Sequence, residues 1–317
     1  MTSRNRSSER VAVLGAGFLG SHLAASLGAS GVPTRLLSRS GTPPGLPLAG
    51  VDVVTGDIEN RAALDPALEG ATEVVYAAGG LLPAESQRDP GGDVRLTLDP
   101  LIAALEAMRA RPGTRFTVLS SGGTVYGRPR YLPVDEDHPT EPISAYGVLK
   151  LAGEHYVRMY RQLYDVSARV LRCSNVYGEH QAPDRTQGAV GAFMHRVARG
   201  ESLAVYGDGG IVRDYLYVGD LASVVLALLG NDRAPTVLNV GSGVGTSLAE
   251  LIDLIGETTG EAVTVDHEPA RPLDVDAIVL DVTRLQDAVG FTPVPLADGV
   301  ARVWAAMRTE TAASRLR

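Results

Sequence analysis

The alternation of short apolar runs with longer helical patterns constrains the fold of this chain more than any other feature of its sequence. Six runs rich in β-branched and aliphatic residues predict strands in the first half, and helical patterns separate them. The predicted strands are RVAVLG, TRLLS, VDVV, EVVYAA, RFTVLS and SARVLR. This rhythm is typical of an α/β fold with a doubly wound parallel sheet and helices on both faces.

A glycine-rich turn follows the first predicted strand. The segment VAVLGAGFLGSHL places Gly15, Gly17 and Gly20 in the spacing G-x-G-x-x-G, between a strand and a helix. Glycines at these positions allow a tight turn and let the backbone approach a pyrophosphate, which the helix N-terminus attracts. The turn therefore predicts a Rossmann-type dinucleotide site, with Phe18 and Leu19 as further contacts.

The rhythm of strands and helices loosens after about residue 175, where glycine and proline interrupt the segments. The chain has 317 residues, which is long for one compact core. We therefore expect residues 1–174 to form mainly the dinucleotide-binding Rossmann domain. Residues 175–317 are expected to form mainly a smaller mixed lobe, with segments that return to the first domain.

The residues after the second strand bear on the choice of cofactor. An acidic residue at this point would accept hydrogen bonds from both ribose hydroxyls and would repel a 2′-phosphate. This sequence has Ser38 and Arg39 instead. A hydroxyl and a guanidinium suit a phosphate group, so NADP(H) is favoured and NAD(H) is possible.

Two other strand ends are expected to contact the cofactor. Asp57 and Ile58 follow the third strand, where they could frame the adenine with one hydrogen bond and one apolar contact. A helix N-cap is the alternative role for Asp57. Ala77 and Ala78 close the fourth predicted strand and are expected to contact the cofactor as well.

A tyrosine and a lysine lie one helical turn apart in AYGVLK. Tyr146 and Lys150 are at positions i and i+4, so their side chains share one face of a helix. An ammonium beside a phenol favours the phenolate and can also hold a ribose, which lets the tyrosine exchange a proton with a carbonyl or an alcohol. The spacing is common by itself, but it gains specificity downstream of a dinucleotide turn and of SSGGTVYG.

In combination these motifs resemble the extended short-chain dehydrogenase/reductase family, in its NAD-dependent epimerase/dehydratase group. The resemblance rests on GAGFLGSH, GDIEN, SSGGTVYG, AYGVLK, LRCSNVYG, LAVYGDGGIVRDYLYVGD, LNVGSG and ARPLDV, which occur in the family's order. It implies a Rossmann domain that keeps its cofactor bound and a C-terminal lobe that holds a nucleoside diphosphate sugar. It also implies a homodimer.

The same resemblance implies roles for individual residues. Tyr146 corresponds to the acid/base, and Lys150 corresponds to its partner. The implied substrate contacts are Asn175, Arg213, Arg271 and Asp274. Arg213 is expected at the diphosphate, and Arg271 with Asp274 is expected at a phosphate and a nucleotide ribose. A loop cap is the alternative for Asn175, and a surface ion pair is the alternative for Arg213.

The segment SSGGTVYG departs from the family pattern. The family's catalytic serine or threonine stands four residues before Tyr126, and this chain has Gly122 there. Dehydratases of the family carry an acidic pair at the next two positions, which here are Gly123 and Thr124. A 4,6-dehydratase is therefore not expected. Either Thr124 or Ser121 would replace the missing hydroxyl, and Thr124 is favoured.

Cys173 stands where the family has proline, near the nicotinamide. It is expected to be a small packing residue beside the cofactor and not a nucleophile. Because it is the only cysteine, an internal disulfide is excluded and a reducing compartment, the cytoplasm, is expected.

Charge and hydropathy exclude other classes of partner. The net charge of -8 disfavours a nucleic-acid surface. The longest apolar run, LASVVLALL, is too short to span a bilayer. Neither a metal site nor a membrane segment is expected.

Three functions are compatible with these observations. The favoured one is an NADPH-dependent reductase of a nucleoside diphosphate ketosugar, acting at C4 of an NDP-4-keto-6-deoxyhexose, because net reduction draws on NADPH. The alternative is an NAD-dependent UDP-sugar 4-epimerase, which uses the same residues to oxidise C4 and return the hydride. A third is a cofactor-sensing protein without turnover, against which Tyr146 and Lys150 argue.

Overall fold

The computed structural model describes residues 9–43, 45–181, 188–271 and 274–315. Its strands are β1 (Val11–Leu14), β2 (Thr34–Ser38), β3 (Val51–Thr55), β4 (Glu73–Tyr76), β5 (Arg115–Ser121), β6 (Ala168–Cys173), β7 (Asn175–Tyr177), β8 (Leu203–Tyr206), β9 (Val212–Tyr217), β10 (Val237–Val240), β11 (Gly245–Ser247), β12 (Val265–Glu268) and β13 (Ala277–Ile278). Its helices are α1 (Phe18–Ala29), α2 (Arg61–Leu68), α3 (Pro83–Arg88), α4 (Pro90–Arg109), α5 (Ala145–Tyr164), α6 (Ala189–Ala198), α7 (Val218–Leu228), α8 (Leu248–Thr259), α9 (Thr283–Val289) and α10 (Leu296–Arg315).

A parallel sheet carries the first half of the chain, as the alternation of patterns predicts. Its seven strands lie in the order β10-β6-β5-β4-β1-β2-β3, and every neighbouring pair is parallel. The chain order reverses at β1, because β2 and β3 lie on one side of it and β4 on the other. Ligands of doubly wound sheets bind beyond the carboxyl ends of the strands at such a switch point.

Both faces of this sheet are covered, which explains why its strands are apolar at nearly every position. Along β1, Val11 and Val13 belong to the hydrophobic core on one face, and Ala12 and Leu14 belong to the core on the other. Each of these four residues is at most 2% exposed. Burial of a side chain the size of valine or leucine contributes about 1.5–3 kcal/mol, so the two cores fix the sheet that positions the site.

The second half of the chain forms two smaller sheets and one additional strand of the main sheet. One small sheet has the order β11-β9-β13, with β7 also paired to β9, and the other pairs β8 with β12. A third hydrophobic core lies among these strands and helices α6, α8 and α10. Strand β10 pairs with β6 in the main sheet. The boundary at residues 174 and 175 stays a prediction.

The helical patterns of the first half correspond to α1, α2, α4 and α5. Helix α3 has six residues and was not predicted, because PAESQR is too short to show a helical period. Within the described ranges, none of the helices combines the length and the apolar character needed to cross a lipid bilayer.

Candidate active site

The glycine turn after β1 forms an open cradle at the N-terminus of α1. Gly15 has a φ of +105°, and a Cβ there would lie 2.7 Å from the backbone of Ala78. A Cβ at Gly20 would collide with the carbonyl oxygen of Gly15. Gly17, the N-cap of α1, has no atom within 4 Å of the place where a Cβ would be. Packing therefore requires glycine at Gly15 and Gly20, and Gly17 leaves room for a ligand.

The start of α1 suits an anion. Gly17 provides no capping side chain, and the first turn carries no acidic residue. Unpaired amide groups at a helix N-terminus attract phosphate. Phe18 and Leu19, both half-buried, form the first positions of the helix, and Ala77 donates a backbone hydrogen bond to Leu14 at 2.9 Å. The residues present therefore fit the pyrophosphate of a dinucleotide.

The two residues predicted at the end of β2 differ in their exposure. Arg39 is exposed and, within the described ranges, has neither a hydrogen bond nor an ion pair. Ser38 is only 2% exposed, and its hydroxyl is buried without a partner in that part of the chain. The prediction for Ser38 requires correction, because a buried hydroxyl does not face a phosphate in solvent. Arg39 alone carries the expectation.

The turn after β3 also differs from what the sequence suggests. The N-cap of α2 is Asn60, whose side chain accepts a hydrogen bond from Ala62, so the alternative role for Asp57 is wrong. Asp57 instead accepts a hydrogen bond from the Glu59 amide at 3.1 Å, within its own turn. Ile58 is 7% exposed and belongs to the hydrophobic core, so little of its surface is open to an adenine.

Tyr146 and Lys150 lie together at the start of α5. Ser144 caps this helix by accepting a hydrogen bond from Gly147 at 3.2 Å. The Lys150 ammonium is 5.6 Å from the centroid of the Tyr146 ring and donates to the carbonyl oxygen of Leu119 at 3.4 Å. Both side chains are half-buried. The pair is therefore held against the end of β5, as a proton-transfer site requires.

Lys150 is the only lysine in the sequence, and the other 28 of the 29 basic residues are arginine. Arginine presents a planar fork, whereas lysine presents a compact point charge with three rotatable donors. Lys150 therefore places an ammonium group in a chain whose other basic residues all carry a guanidinium. This composition supports a role for Lys150 that depends on its shape as well as its charge.

Cys173 closes the end of β6 next to this pair. It is 4% exposed, and burial raises the pKa of its thiol to about 12, which the nearby Lys150 charge only partly opposes. A thiol with such a pKa is a packing residue and a poor nucleophile at neutral pH. It is the register partner of Ser121 across β5 and β6.

The two glycines of SSGGTVYG have different neighbours. A Cβ at Gly122 would lie 2.7 Å from Leu280 Cδ1 and 2.9 Å from the carbonyl oxygen of Arg172. A hydroxyl at this position would point into the core, so its absence does not remove a group from the site. A Cβ at Gly123 would lie 3.1 Å from the Oδ1 atom of Asn175. The neighbours of Gly122 therefore do not support the prediction that a catalytic hydroxyl is missing there.

Of the two candidate hydroxyls, that of Ser121 is the more available. Thr124 Oγ1 donates to the carbonyl oxygen of Ser121 at 3.5 Å, a long hydrogen bond within the turn. The Ser121 hydroxyl has no partner in the described part of the chain, and its residue is half-buried. The geometry favours Ser121, whereas the sequence favours Thr124.

Two of the predicted substrate residues, Asn175 and Arg213, lie on strands β7 and β9, and the other two, Arg271 and Asp274, lie between β12 and β13 in the chain. Arg213 on β9 donates to the carbonyl oxygens of Val212 and Val275 at 2.9 and 2.7 Å, and it forms no ion pair with a described carboxylate. Burial lowers the pKa of Arg213, and the nearby charge of Asp274 opposes that shift. A half-buried guanidinium without an ion-pair partner suits a diphosphate and excludes the surface ion pair.

The three other predicted substrate residues have neighbours of their own. The Arg271 guanidinium carbon is 3.3 Å from the centroid of the Tyr206 ring, and the carbonyl oxygen of Arg271 accepts the Asp274 amide at 3.1 Å. Asn175 belongs to β7 and is paired in register with Tyr215 of β9. It is therefore part of a strand and does not cap a loop.

Comparison with known proteins assigns the family. Residues 11–241 match the family model described as "NAD dependent epimerase/dehydratase family". The chain belongs to this family. It is an enzyme of the extended short-chain dehydrogenase/reductase type that acts on nucleotide sugars, as the motifs predict.

Relatives of this epimerase/dehydratase member cover nearly its whole length. A putative UDP-glucose 4-epimerase of Methanocaldococcus jannaschii is 32% identical and covers 91% of this chain and 95% of its own. The UDP-glucose 4-epimerase of Thermotoga maritima, solved with UDP-glucose, is 29% identical with a TM-score of 0.87, covering 95% of this chain and 99% of that one. The Thermus thermophilus enzyme, solved with NAD, is 31% identical with a TM-score of 0.85, covering 94% and 99%.

Proposed function

We propose that this protein is a UDP-hexose 4-epimerase. The observation that carries the proposal is the Tyr146–Lys150 pair, held on α5 against the end of β5, beside a turn that has Gly123 and Thr124 where elimination would need an acid and a base. Such a site can move protons and accommodate hydride transfer, but it lacks the carboxyl groups that dehydration requires. The epimerase names of the relatives support this function over the reductase.

The roles of the side chains follow from their chemistry. Tyr146 would take the proton from the sugar O4 and later return it, while the Lys150 ammonium stabilises the phenolate. The Ser121 hydroxyl would hydrogen-bond to the same oxygen. The glycine turn and the start of α1 would hold the dinucleotide, whose chemistry would be reversible uptake of the C4 hydride. Arg213 would hold the diphosphate during the exchange of faces, since only its Nη1 atom has hydrogen-bond partners among the described residues and none of their carboxylates pairs with it.

A direct assay tests this proposal. Purified protein incubated with UDP-glucose and a catalytic amount of NAD or NADP should produce UDP-galactose, measured by chromatography of the sugar nucleotides. A parallel incubation with dTDP-glucose tests recognition of the base. If neither cofactor supports conversion of several UDP-hexoses, the epimerase proposal is wrong.

We predict that the Ser121 hydroxyl is the group that binds the reacting oxygen. Ser121→Ala should lower kcat about 10- to 100-fold, because a neutral hydrogen bond formed in the transition state is lost. Thr124→Val should change kcat less than about threefold, because Thr124 donates only within its own turn. Steady-state kinetics of both variants compare the two hydroxyls. The opposite ranking would restore the role predicted for Thr124 from the sequence.

A second candidate function rests on Arg39. An epimerase regenerates its own cofactor, whereas a reductase consumes NADPH, and an exposed arginine after β2 favours the 2′-phosphate. An NADPH-dependent C4 reductase of a dTDP-4-keto-6-deoxyhexose is therefore the second candidate. Loss of NADPH absorbance with that substrate would support it, and no consumption would exclude it.

We predict that Arg39 sets a preference for NADP(H). Arg39→Ala should weaken NADPH binding about ten- to hundredfold, since one charge-assisted hydrogen bond contributes about 1.5–3 kcal/mol. Binding of NADH should change less than about twofold. Fluorescence titration with both nucleotides measures the ratio, and Arg61→Ala, at an exposed ion pair on α2, is the control. Equal losses for both nucleotides would contradict the preference.

A homodimer in the cytoplasm completes the proposal. Helices α4 and α5 pack together, and they expose apolar side chains to solvent, with Val94 at 41%, Val148 at 51% and Leu163 at 66%. Contiguous exposed apolar residues are typical of association surfaces. The resemblance to the family supplies the expectation of a homodimer, and these residues offer a surface for it.

A further inference from the structure

A buried ion pair fastens α5 to the ends of β5 and β6. Tyr146, Lys150 and Glu154 follow one another at intervals of four on α5, so they form one stripe along the helix. Glu154 is 8% exposed, and its carboxylate accepts hydrogen bonds from Arg172 Nη2 at 2.7 Å and from Nε at 3.1 Å. It also accepts from the Ser120 hydroxyl at 2.6 Å. We call these three residues, Glu154, Arg172 and Ser120, the Glu154 clamp.

Each strand residue of the Glu154 clamp precedes a residue of the candidate site. Ser120 is followed by Ser121, and Arg172 is followed by Cys173. Ser120 and Arg172 are register partners across β5 and β6, as are the two residues that follow them. The carboxylate therefore joins both strand ends to the helix one turn beyond Lys150.

Arg172 also holds the far end of the SSGGTVYG turn. Its Nη1 atom donates to the Tyr126 hydroxyl at 3.0 Å and to the carbonyl oxygen of Glu136 at 3.3 Å. The Tyr126 hydroxyl in turn donates to Asn239 at 2.6 Å, and Tyr126 is fully buried. The turn that carries the candidate hydroxyls is thus fixed at both ends.

We propose that Glu154 is a positioning residue for proton transfer, acting through Arg172 and Ser120. It fixes the separation between the helix that carries the Tyr146–Lys150 pair and the strand end that carries Ser121. The clamp is not expected to touch substrate or cofactor. Displacement of a reacting group by about 1 Å can cost about 10²-fold in rate, so a buried clamp next to the site affects turnover without contacting the substrate. The kinetic part of this proposal rests on the proposed epimerase function.

The first test is Glu154→Gln. The amide keeps the size of the side chain but leaves the buried Arg172 guanidinium without a carboxylate. We expect kcat for UDP-glucose to fall about 10- to 100-fold, with KM changed less than about threefold, because the nucleotide is held by the other lobe. Ser120→Ala removes one hydroxyl and keeps the ion pair, so it should lower kcat in the same direction by a smaller factor. It also provides a test if the Gln variant is insoluble.

The chain contains a matched control at the opposite end of β5. Glu73 is 1% exposed and accepts hydrogen bonds from Arg115 Nε at 2.8 Å and from the Thr117 hydroxyl at 3.2 Å. Its partners are therefore an arginine and a hydroxyl, as for Glu154, but they lie at the amino end of the sheet. Glu73→Gln should lower the melting temperature as Glu154→Gln does, yet leave kcat unchanged well below that temperature.

A second readout needs no substrate. Because Lys150 is the only lysine in the chain, its acetylation by an amine-reactive ester can be followed by mass spectrometry of its peptide. We expect its rate constant to rise at least about threefold in Glu154→Gln, because a shifted helix loosens the hydrogen bond to Leu119, and to stay unchanged in Glu73→Gln.

These measurements separate the proposal from the function on which it rests. Wild-type kcat in folded Glu154→Gln and Ser120→Ala proteins would overturn the positioning role, and so would an equal loss of kcat in Glu73→Gln. If the wild-type protein epimerises no UDP-hexose, the proposed function fails. Unchanged Lys150 acetylation in Glu154→Gln would then overturn the clamp, and an increased rate would support it.

Discussion

Tyr146→Phe lowers epimerase turnover by about 10²–10⁴-fold in our expectation, the range for loss of a positioned acid/base. The ring remains in place near Lys150, but no oxygen can take the proton from the sugar O4. Cofactor binding should be retained, because the glycine turn and α1 provide that cradle. Rates of UDP-galactose formation and fluorescence titration with the dinucleotide measure the two effects separately.

The same substitution at the other end of α5 is the control. Tyr164 is 38% exposed at the last position of the helix, with the Arg109 guanidinium 4.0 Å from its ring centroid. Tyr164→Phe keeps the ring that this contact uses and should leave turnover unchanged. Activity of Tyr146→Phe above about a tenth of wild type would contradict the assigned role.

Two glycine substitutions in the turn after β1 should differ strongly in their effect on the free energy of unfolding. Gly20→Ala places a methyl group against the carbonyl oxygen of Gly15, which is backbone and cannot move aside without opening the turn. We expect it to lower the free energy of unfolding by about 3 kcal/mol or more. Gly17 has a φ of -74° and open space around it, so alanine fits there in the unliganded protein. Gly17→Ala should change stability by about 1 kcal/mol or less.

Although Gly17→Ala should have little effect on stability, it should weaken cofactor binding. The methyl group of Gly17→Ala would occupy the space that the pyrophosphate needs, so binding of the dinucleotide should weaken at least about tenfold in a stable protein. Thermal denaturation with and without cofactor measures both quantities, because a bound ligand raises the melting temperature. A stable Gly17→Ala protein with wild-type affinity would exclude the cradle as the pyrophosphate site.

The sequence allows prediction of the features that depend on local spacing. The glycine turn lies between β1 and α1, and Tyr146 and Lys150 share a face of α5, because both patterns are set within one or two turns of the chain. The six strands of the first half were predictable for the same reason, since nearly continuous apolar runs identify buried parallel strands.

Features that depend on distant contacts could not be predicted. Gly122 looks like a missing hydroxyl until Leu280, which arrives from the end of β13, is found against it. Ser38 looks like a phosphate contact until the burial of its hydroxyl is known. In both cases the residue type and its place at the end of a strand are visible in the sequence. Whether a side chain at that position faces the site or the core depends on packing in the folded protein.

The Glu154 clamp could be predicted from the sequence only in part. Its position four residues after Lys150 is visible in the sequence, as a continuation of the Tyr146–Lys150 stripe. The role proposed for it is not visible there, because Arg172 and Ser120 reach it from two strands that only the folded sheet brings together.

Strand β10 has a consequence for how the chain is made. A ribosome synthesises β1 to β6 before residues 237–240, so a sheet formed by those strands alone would end at β6 with unpaired backbone groups along one edge. Such an edge can pair with another chain. The carboxyl end of β6 carries Arg172 and Cys173, so the last strand of the main sheet pairs beside the arginine that holds Glu154 of α5.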